Sequence, residues 1–88
     1  MKNEEIVDLV IKNLLEIELK EYKIKNESFF TGINSNIESI DIVSSIGFIE
    51  DELEKNNIIL TDLFEIIFEN EELTFHKLRN LILENINK

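Results

Sequence analysis

The sequence has no cysteine, no proline, no tryptophan and only two glycines. Without cysteine, neither a disulfide nor a thiolate metal site can hold the fold together. Proline and glycine are the residues that most disrupt helices, so their scarcity favours a helical chain over a turn-rich β-protein. A chain of 88 residues is the size of one small domain. The composition therefore predicts one helical domain over residues 1–88.

Positive charge is also scarce. Nine Lys and Arg residues face 19 Asp and Glu residues, which gives a formal net charge of −10. Nucleic-acid binding depends on clustered Lys and Arg, so we do not expect a nucleic-acid partner. Partners with basic surfaces are favoured instead, because complementary charge speeds association and selects the partner.

Long apolar runs are missing as well. No apolar stretch approaches the roughly 20 residues that a membrane-spanning helix needs. The first residues, "MKNEEIVDLV", are acidic where a signal peptide would be basic and then apolar. We therefore expect a cytoplasmic protein that does not enter a membrane.

The usual enzyme motifs are absent. The sequence contains no GxGxxG, no GxxxxGK[ST] and no GxSxG, so no phosphate-binding loop or serine nucleophile is indicated. His76 is the only histidine, and "FENEEL" lacks the ligand spacing and glycine of a calcium loop. We expect His76 to be a surface residue, no metal site, and no catalytic activity.

Helical periodicity predicts a long first helix over residues 3–19 and a long connecting loop over 20–36. The inner face of the first helix is predicted to consist of Ile6, Val10, Leu14 and Ile17, widened by Val7 and Leu9. The loop is rich in Asn, Ser and Lys, and its two aromatic residues, Phe29 and Phe30, are expected to attach it to the core.

The second half of the chain predicts a short helix and a final long one. "DLFE" resembles a capping box, with Asp62 three residues before Glu65, and indicates a helix over about 62–69. The β-branched and aromatic residues of 56–72 leave a strand as the alternative. The last helix is predicted over 74–88 with Thr74 as its N-cap.

The second long helix, predicted over 39–55, has two apolar faces. Its core face is predicted to comprise Ile42, Ile46, Ile49 and Leu53. A separate docking strip comprises Ile40, Val43 and Gly47, and is flanked by the acids Glu50, Asp51 and Glu54. A strip of this kind suits a protein partner with a basic surface.

Ser39 stands at the start of this helix, in the hexapeptide Glu38-Ser39-Ile40-Asp41-Ile42-Val43, which continues into the acidic run Ile49-Glu50-Asp51-Glu52-Leu53. Taken alone, Ser39 is interpreted as a helix cap. The hexapeptide, the acidic helix and the Thr74-Phe75 opening of the last helix together resemble the acyl carrier protein family, whose signature is D-S-L-D-x-V. The resemblance covers essentially the whole chain in length, charge and helix order.

The resemblance implies an all-α, acyl-carrier-like four-helix bundle with three long helices and one short one. It implies that Ser39 carries 4′-phosphopantetheine, whose thiol holds acyl or aminoacyl groups as thioesters. The protein would be a monomeric shuttle in fatty-acid, polyketide or related biosynthesis. Its partners would be a phosphopantetheinyl transferase and acyl- or aminoacyl-transferring and synthase enzymes with basic surfaces.

Three residues depart from the family pattern, and one of them is Ser44, which replaces an acid that many members use for docking. Glu38 stands where the family has Asp, and Gly47 stands where it often has Met. Gly47 is explained either by close helix packing or by room for a partner or an acyl chain. These departures favour a specialised carrier. The alternative function is an unmodified, acidic helical module that binds a basic partner through its second helix.

The charge imbalance predicts a salt effect on stability. A net charge of −10 on 88 residues destabilises the folded state through self-repulsion. The Debye length falls from about 30 Å at 0.01 M salt to about 8 Å at 0.15 M. The melting temperature should therefore rise over this range in a thermal unfolding series. A flat profile would mean that specific ion pairs already balance the acids.

Overall fold

The computed structural model of the chain describes residues 2–25 and 27–87 and is predominantly helical. Its elements in chain order are α1 (Asn3–Asn13), β1 (Phe29–Thr31), α2 (Ser39–Glu54), α3 (Leu63–Phe68), β2 (Leu73–Thr74) and α4 (Phe75–Ile86). The expectation of a helical fold with three longer helices and one short helix is confirmed. In the described ranges, no helix has the length and apolar character needed to cross a membrane.

The first helix is interrupted by a wider turn that the periodicity did not predict. Regular α-helix ends at Asn13, and a π-helical stretch follows over Leu14–Glu18. A π-turn holds more residues than an α-turn, so it changes which side chains face inward. Ile17, predicted to face the core, is 60% exposed, whereas Leu19 is buried.

Within α1 the predicted inner face is only partly right. Ile6, Val7 and Val10 are buried as expected, but Leu9 is 42% exposed. Ile11 is buried in its place. The apolar stripe therefore lies on the side shared by Val7 and Ile11, and Leu9 falls beyond its edge.

The two faces of α2 are arranged as predicted. The four residues of the core face are all buried: Ile42, Ile46, Ile49 and Leu53. On the other side, Ile40 is 70% exposed and Val43 is 52% exposed. The helical period thus separates an inner face from an outer apolar strip on the same helix.

The segment predicted as a loop contains regular structure. A 3₁₀ turn covers Lys20–Tyr22, and β1 pairs antiparallel with β2, placing Phe29 opposite Thr74. Phe30 is fully buried, and its ring packs edge-on against Phe75 with 5.3 Å between centroids. The prediction that aromatic residues attach this segment to the core is confirmed for Phe30, whereas Phe29 is half-buried.

The short helix is confirmed, but its predicted cap is not. α3 occupies Leu63–Phe68, which excludes a strand there. Asp62 forms no side-chain capping hydrogen bond, and its backbone (φ −109°, ψ 23°) is not in the extended conformation typical of an N-cap. The capping box of Asp62 and Glu65 was therefore a wrong prediction.

The last helix begins as predicted and is joined to the first by an ion pair. The Thr74 hydroxyl accepts a hydrogen bond from the Lys77 backbone N–H at 3.1 Å. Arg79 on α4 contacts Asp8 on α1, with 2.8 Å between Nε and Oδ1. This pair is partly solvent-exposed, so its contribution to stability is small. The apolar contacts between these helices therefore hold them together.

The division of α2 into two faces gives a stability prediction. Ile46→Lys should unfold the protein or destabilise it severely, because the ammonium would be buried without a partner. Val43→Lys should change the free energy of unfolding by no more than about 0.5 kcal/mol, as is usual for surface substitutions. Urea unfolding of both variants tests this. The reverse order of effects would mean that the two faces are exchanged.

Candidate functional site

Ser39 is the first residue of the 16-residue helix α2, and its side chain is exposed. Glu38 occupies the N-cap position in extended conformation and forms no side-chain capping bond. Among residues 2–25 and 27–87, no group forms a hydrogen bond with the Ser39 hydroxyl. Ser39 therefore does not cap α2 through its side chain, since Glu38 occupies the N-cap position.

The neighbouring serines are placed differently. The Ser35 hydroxyl donates to the Phe30 carbonyl at 2.8 Å and accepts from the Ile37 N–H at 3.2 Å. Ser45 is fully buried, and its hydroxyl donates to the Asp41 carbonyl. Ser44 is exposed but lies in the second turn of α2, beyond the helix start. Ser39 alone of these four is exposed at a helix terminus.

The backbone at the start of α2 leaves two donors unused. The Asp41 and Ile42 N–H groups both donate to the Glu38 carbonyl at 3.0 Å. The N–H groups of Ser39 and Ile40 have no acceptor in the part of the chain that the structure describes. Such free N–H groups, together with the helix dipole, favour negative charge at this position.

Tyr22 contacts both residues that flank this turn. Its hydroxyl donates to the Asp41 carboxylate and accepts a 3.4 Å hydrogen bond from the Glu38 backbone N–H. The hydrogen bond to Asp41 raises the pKa of Tyr22, and the Glu38 N–H opposes that shift. Sequence reasoning missed this residue, although it is the chain's only tyrosine, because it lies in a segment predicted to be a loop.

A shallow acidic cleft adjoins Ser39. Its volume is about 360 Å³, and Glu21, Tyr22, Glu38 and Asp41 line it. Three carboxylates near the serine repel a free anion and attract a basic protein surface. The site thus combines a local preference for anions, at the helix N–H groups, with an acidic surrounding.

The predicted docking strip is accessible along its length. Ile40 and Val43 are exposed, and Gly47 is half-buried. A Cβ atom added at Gly47 would have no neighbouring atom within 4 Å. Close helix packing therefore does not explain this glycine, which leaves open space over the outer face of α2.

The predicted acids lie at the far end of the strip and form one wall of a second cleft. Glu50, Asp51 and Glu54 line it together with the residues 59–61. Burial raises the pKa of the Glu50 carboxyl, the Leu63 backbone N–H opposes that shift, and the neighbouring carboxylates raise the pKa further. Ile59 is 68% exposed beside these acids, so apolar and acidic surface are adjacent here too.

Two aromatic residues on α3 add apolar surface that sequence reasoning did not identify. Phe64 and Phe68 are 50% and 51% exposed, and their ring centroids lie 4.6 Å apart. The i, i+4 spacing of Phe64 and Phe68 was visible in the sequence and indicates that the two rings share one face of the helix. Leu63 and Ile67 form one buried i, i+4 pair. Phe64 and Phe68 form a second i, i+4 pair on a neighbouring face, and on so short a helix that face is left exposed.

His76 is exposed on α4, as predicted, and its Nε2 lies 3.3 Å from the Asn80 side-chain nitrogen. Within the described ranges no three His, Cys, Asp or Glu side chains are grouped closely enough to hold a metal ion.

Comparison with known proteins gives no relative. No family model, no curated protein and no solved structure matches this chain.

The open space at Gly47 predicts that Gly47→Ala stabilises the protein. Alanine is favoured over glycine in a helix interior by about 1 kcal/mol, and no atom obstructs the new methyl group. Urea unfolding measures the gain.

Gly32→Ala is the matched control. Gly32 has φ +100°, and an added Cβ would collide with Glu72, so this variant should be destabilised. A loss of stability in Gly47→Ala would mean that the outer face of α2 is packed after all.

Proposed function

We propose that this chain is a specialised carrier protein that bears 4′-phosphopantetheine on Ser39 and carries acyl or aminoacyl groups as thioesters. The observation that supports it best is an exposed serine hydroxyl, free of hydrogen bonds to described residues, on the first turn of a long helix. A reactive group of this kind has to be accessible and also held on a rigid element. The chain itself is the substrate and shuttle, and its partners supply the catalysis.

The attachment step is a phosphoryl transfer from coenzyme A. The Ser39 Oγ attacks the pyrophosphate phosphorus that carries the pantetheine, and a new O–P bond forms. The P–O bond to the nucleotide breaks, and 3′,5′-ADP leaves with the bonding electrons. The serine proton passes to a base of the transferase. The product is a phosphodiester with one negative charge beside α2.

The start of α2 is suited to that charge. The unused N–H groups of Ser39 and Ile40 can donate to the phosphodiester oxygens, as helix N-termini do for phosphate groups. The carboxylates of the acidic cleft beside α2 repel the phosphodiester instead. A covalently attached phosphate remains there regardless, because the O–P bond and not electrostatic affinity holds it.

The outer face of α2 supplies a surface for partners. Ile40 and Val43 give an exposed apolar strip, and Glu50 and Asp51 lie on the same helix beyond Gly47. A transferase or synthase with a basic rim around an apolar patch would match this distribution. The acids would speed association and orient the partner, and the apolar strip would supply buried contact area.

The second candidate is an interaction module that is never modified. The acidic cleft favours it, because Glu21, Glu38 and Asp41 surround the serine with negative charge. Both candidates use the same surface of α2, so a binding assay alone does not separate them. Only modification of the serine does.

Incubation with coenzyme A and a promiscuous phosphopantetheinyl transferase tests the proposal by intact mass spectrometry. The wild-type protein should gain the mass of one phosphopantetheinyl group, and Ser39→Ala should gain none because the attacking oxygen is missing. Ser44→Ala is the matched control and should be modified like the wild type.

Two results would contradict the proposal. An unmodified wild type would favour the interaction module. Modification that persists in Ser39→Ala would place the arm on another residue. The far-ultraviolet circular dichroism of each variant verifies that the helices are intact.

A further inference from the structure

The start of α2 contains one half of a capping box, in which a third residue is inserted; the other half is missing, because the Glu38 side chain forms no capping hydrogen bond. In a capping box, the side chain of the third helical residue reaches back to the backbone N–H of the N-cap residue. Asp41 is that third residue and Glu38 is the N-cap. Here the Tyr22 hydroxyl stands between them, because it accepts from the Glu38 N–H and donates to the Asp41 carboxylate.

This arrangement restrains the chain on both sides of Ser39. The Glu38 carbonyl is held by the N–H groups of Asp41 and Ile42, and its N–H is held by Tyr22. Ser39 lies between these fixed points, and within residues 2–25 and 27–87 its own side chain has no hydrogen-bond partner.

Tyr22 connects this turn to the core. It ends the 3₁₀ turn Lys20–Tyr22, and its half-buried ring packs against the hydrophobic core. Helix ends fray more readily than helix interiors. A contact from outside the helix therefore limits fraying of the turn that bears Ser39.

We infer that Tyr22 is a positioning residue, whose hydroxyl bridges the two residues of this half capping box and so holds Ser39 in the geometry that phosphoryl transfer requires. The inference rests on the proposed function and adds to it. Tyr22 does not touch the reacting atoms and acts through Glu38 and Asp41. Misplacement of a reacting group by about 1 Å can slow a reaction on the order of a hundredfold, so such restraint matters for the rate.

The test is steady-state transfer from coenzyme A by a phosphopantetheinyl transferase to wild type, Tyr22→Phe and the double variant Tyr22→Phe/Asp41→Glu. Tyr22→Phe should lower kcat by about fivefold or more and change KM by less than about twofold, because the docking surface is intact. In the double variant the longer Glu side chain can reach the Glu38 N–H directly, so kcat should recover. Asp41→Glu alone serves as its reference.

Thr74→Ala is the control for a general loss of stability. It removes a hydroxyl that caps α4, a helix other than the one that bears Ser39. It should be modified at the wild-type rate. A second readout that is independent of the transferase is hydrogen exchange of the Glu38 amide, which should be faster in Tyr22→Phe.

The outcomes separate this inference from the proposed function. If wild type is not modified, the proposed function is overturned, and the role of Tyr22 in modification with it. If wild type is modified and Tyr22→Phe is equally fast, only the positioning role is overturned. If Thr74→Ala is slowed as much as Tyr22→Phe, the slower modification reflects a general loss of stability, and the positioning role is again overturned. Unchanged exchange at Glu38 would overturn the interposed hydrogen bonds themselves.

Discussion

Burial of the core face of α2 is the interaction on which the rest of the structure depends. Ile42, Ile46, Ile49 and Leu53 are all buried, and α2 contacts α1, the π-helical stretch and α3 through this side. Because a small domain buries a limited fraction of its surface, these side chains carry much of the stabilisation. Fixing one face of the helix also fixes the other. The outer apolar strip of Ile40 and Val43 is therefore oriented toward solvent by the packing of the opposite face.

The acidic surface opposes the stabilisation that this apolar packing provides. Repulsion among the carboxylates opposes folding, and the two ion pairs found among the described residues, Arg79 with Asp8 and Lys55 with Glu52, lie largely at the surface. Such pairs contribute little. Cohesion therefore comes from apolar packing, and the charge contributes little to it. The charge is tolerated because the acids lie on outer faces, where water screens them.

Much of this arrangement could be predicted from the sequence, because the helical period reports burial wherever the helix is regular. The period placed both faces of α2 correctly, and the N-cap residue Thr74 placed the start of α4. The period failed at Ile17, where a π-turn changes the phase. The capping motif failed at Asp62, whose backbone does not suit an N-cap. The exposed Ser39 could be predicted from its motif. Tyr22 could not, because its contact with Asp41 spans 19 residues and depends on how the intervening segment folds.

The pairing of β1 with β2 has a consequence for the docking proposed at Ser39. It joins the middle of the segment between α1 and α2 to the start of α4, and the Phe75 N–H also donates to the Ser28 carbonyl at 3.1 Å. The chain that precedes Ser39 is thereby divided into short spans, each with little conformational entropy left to lose. Association with another protein is costly when loops have to be ordered. In the described part of this segment that order already exists in the free chain, so the proposed docking at the end of α2 would need little further ordering of the backbone.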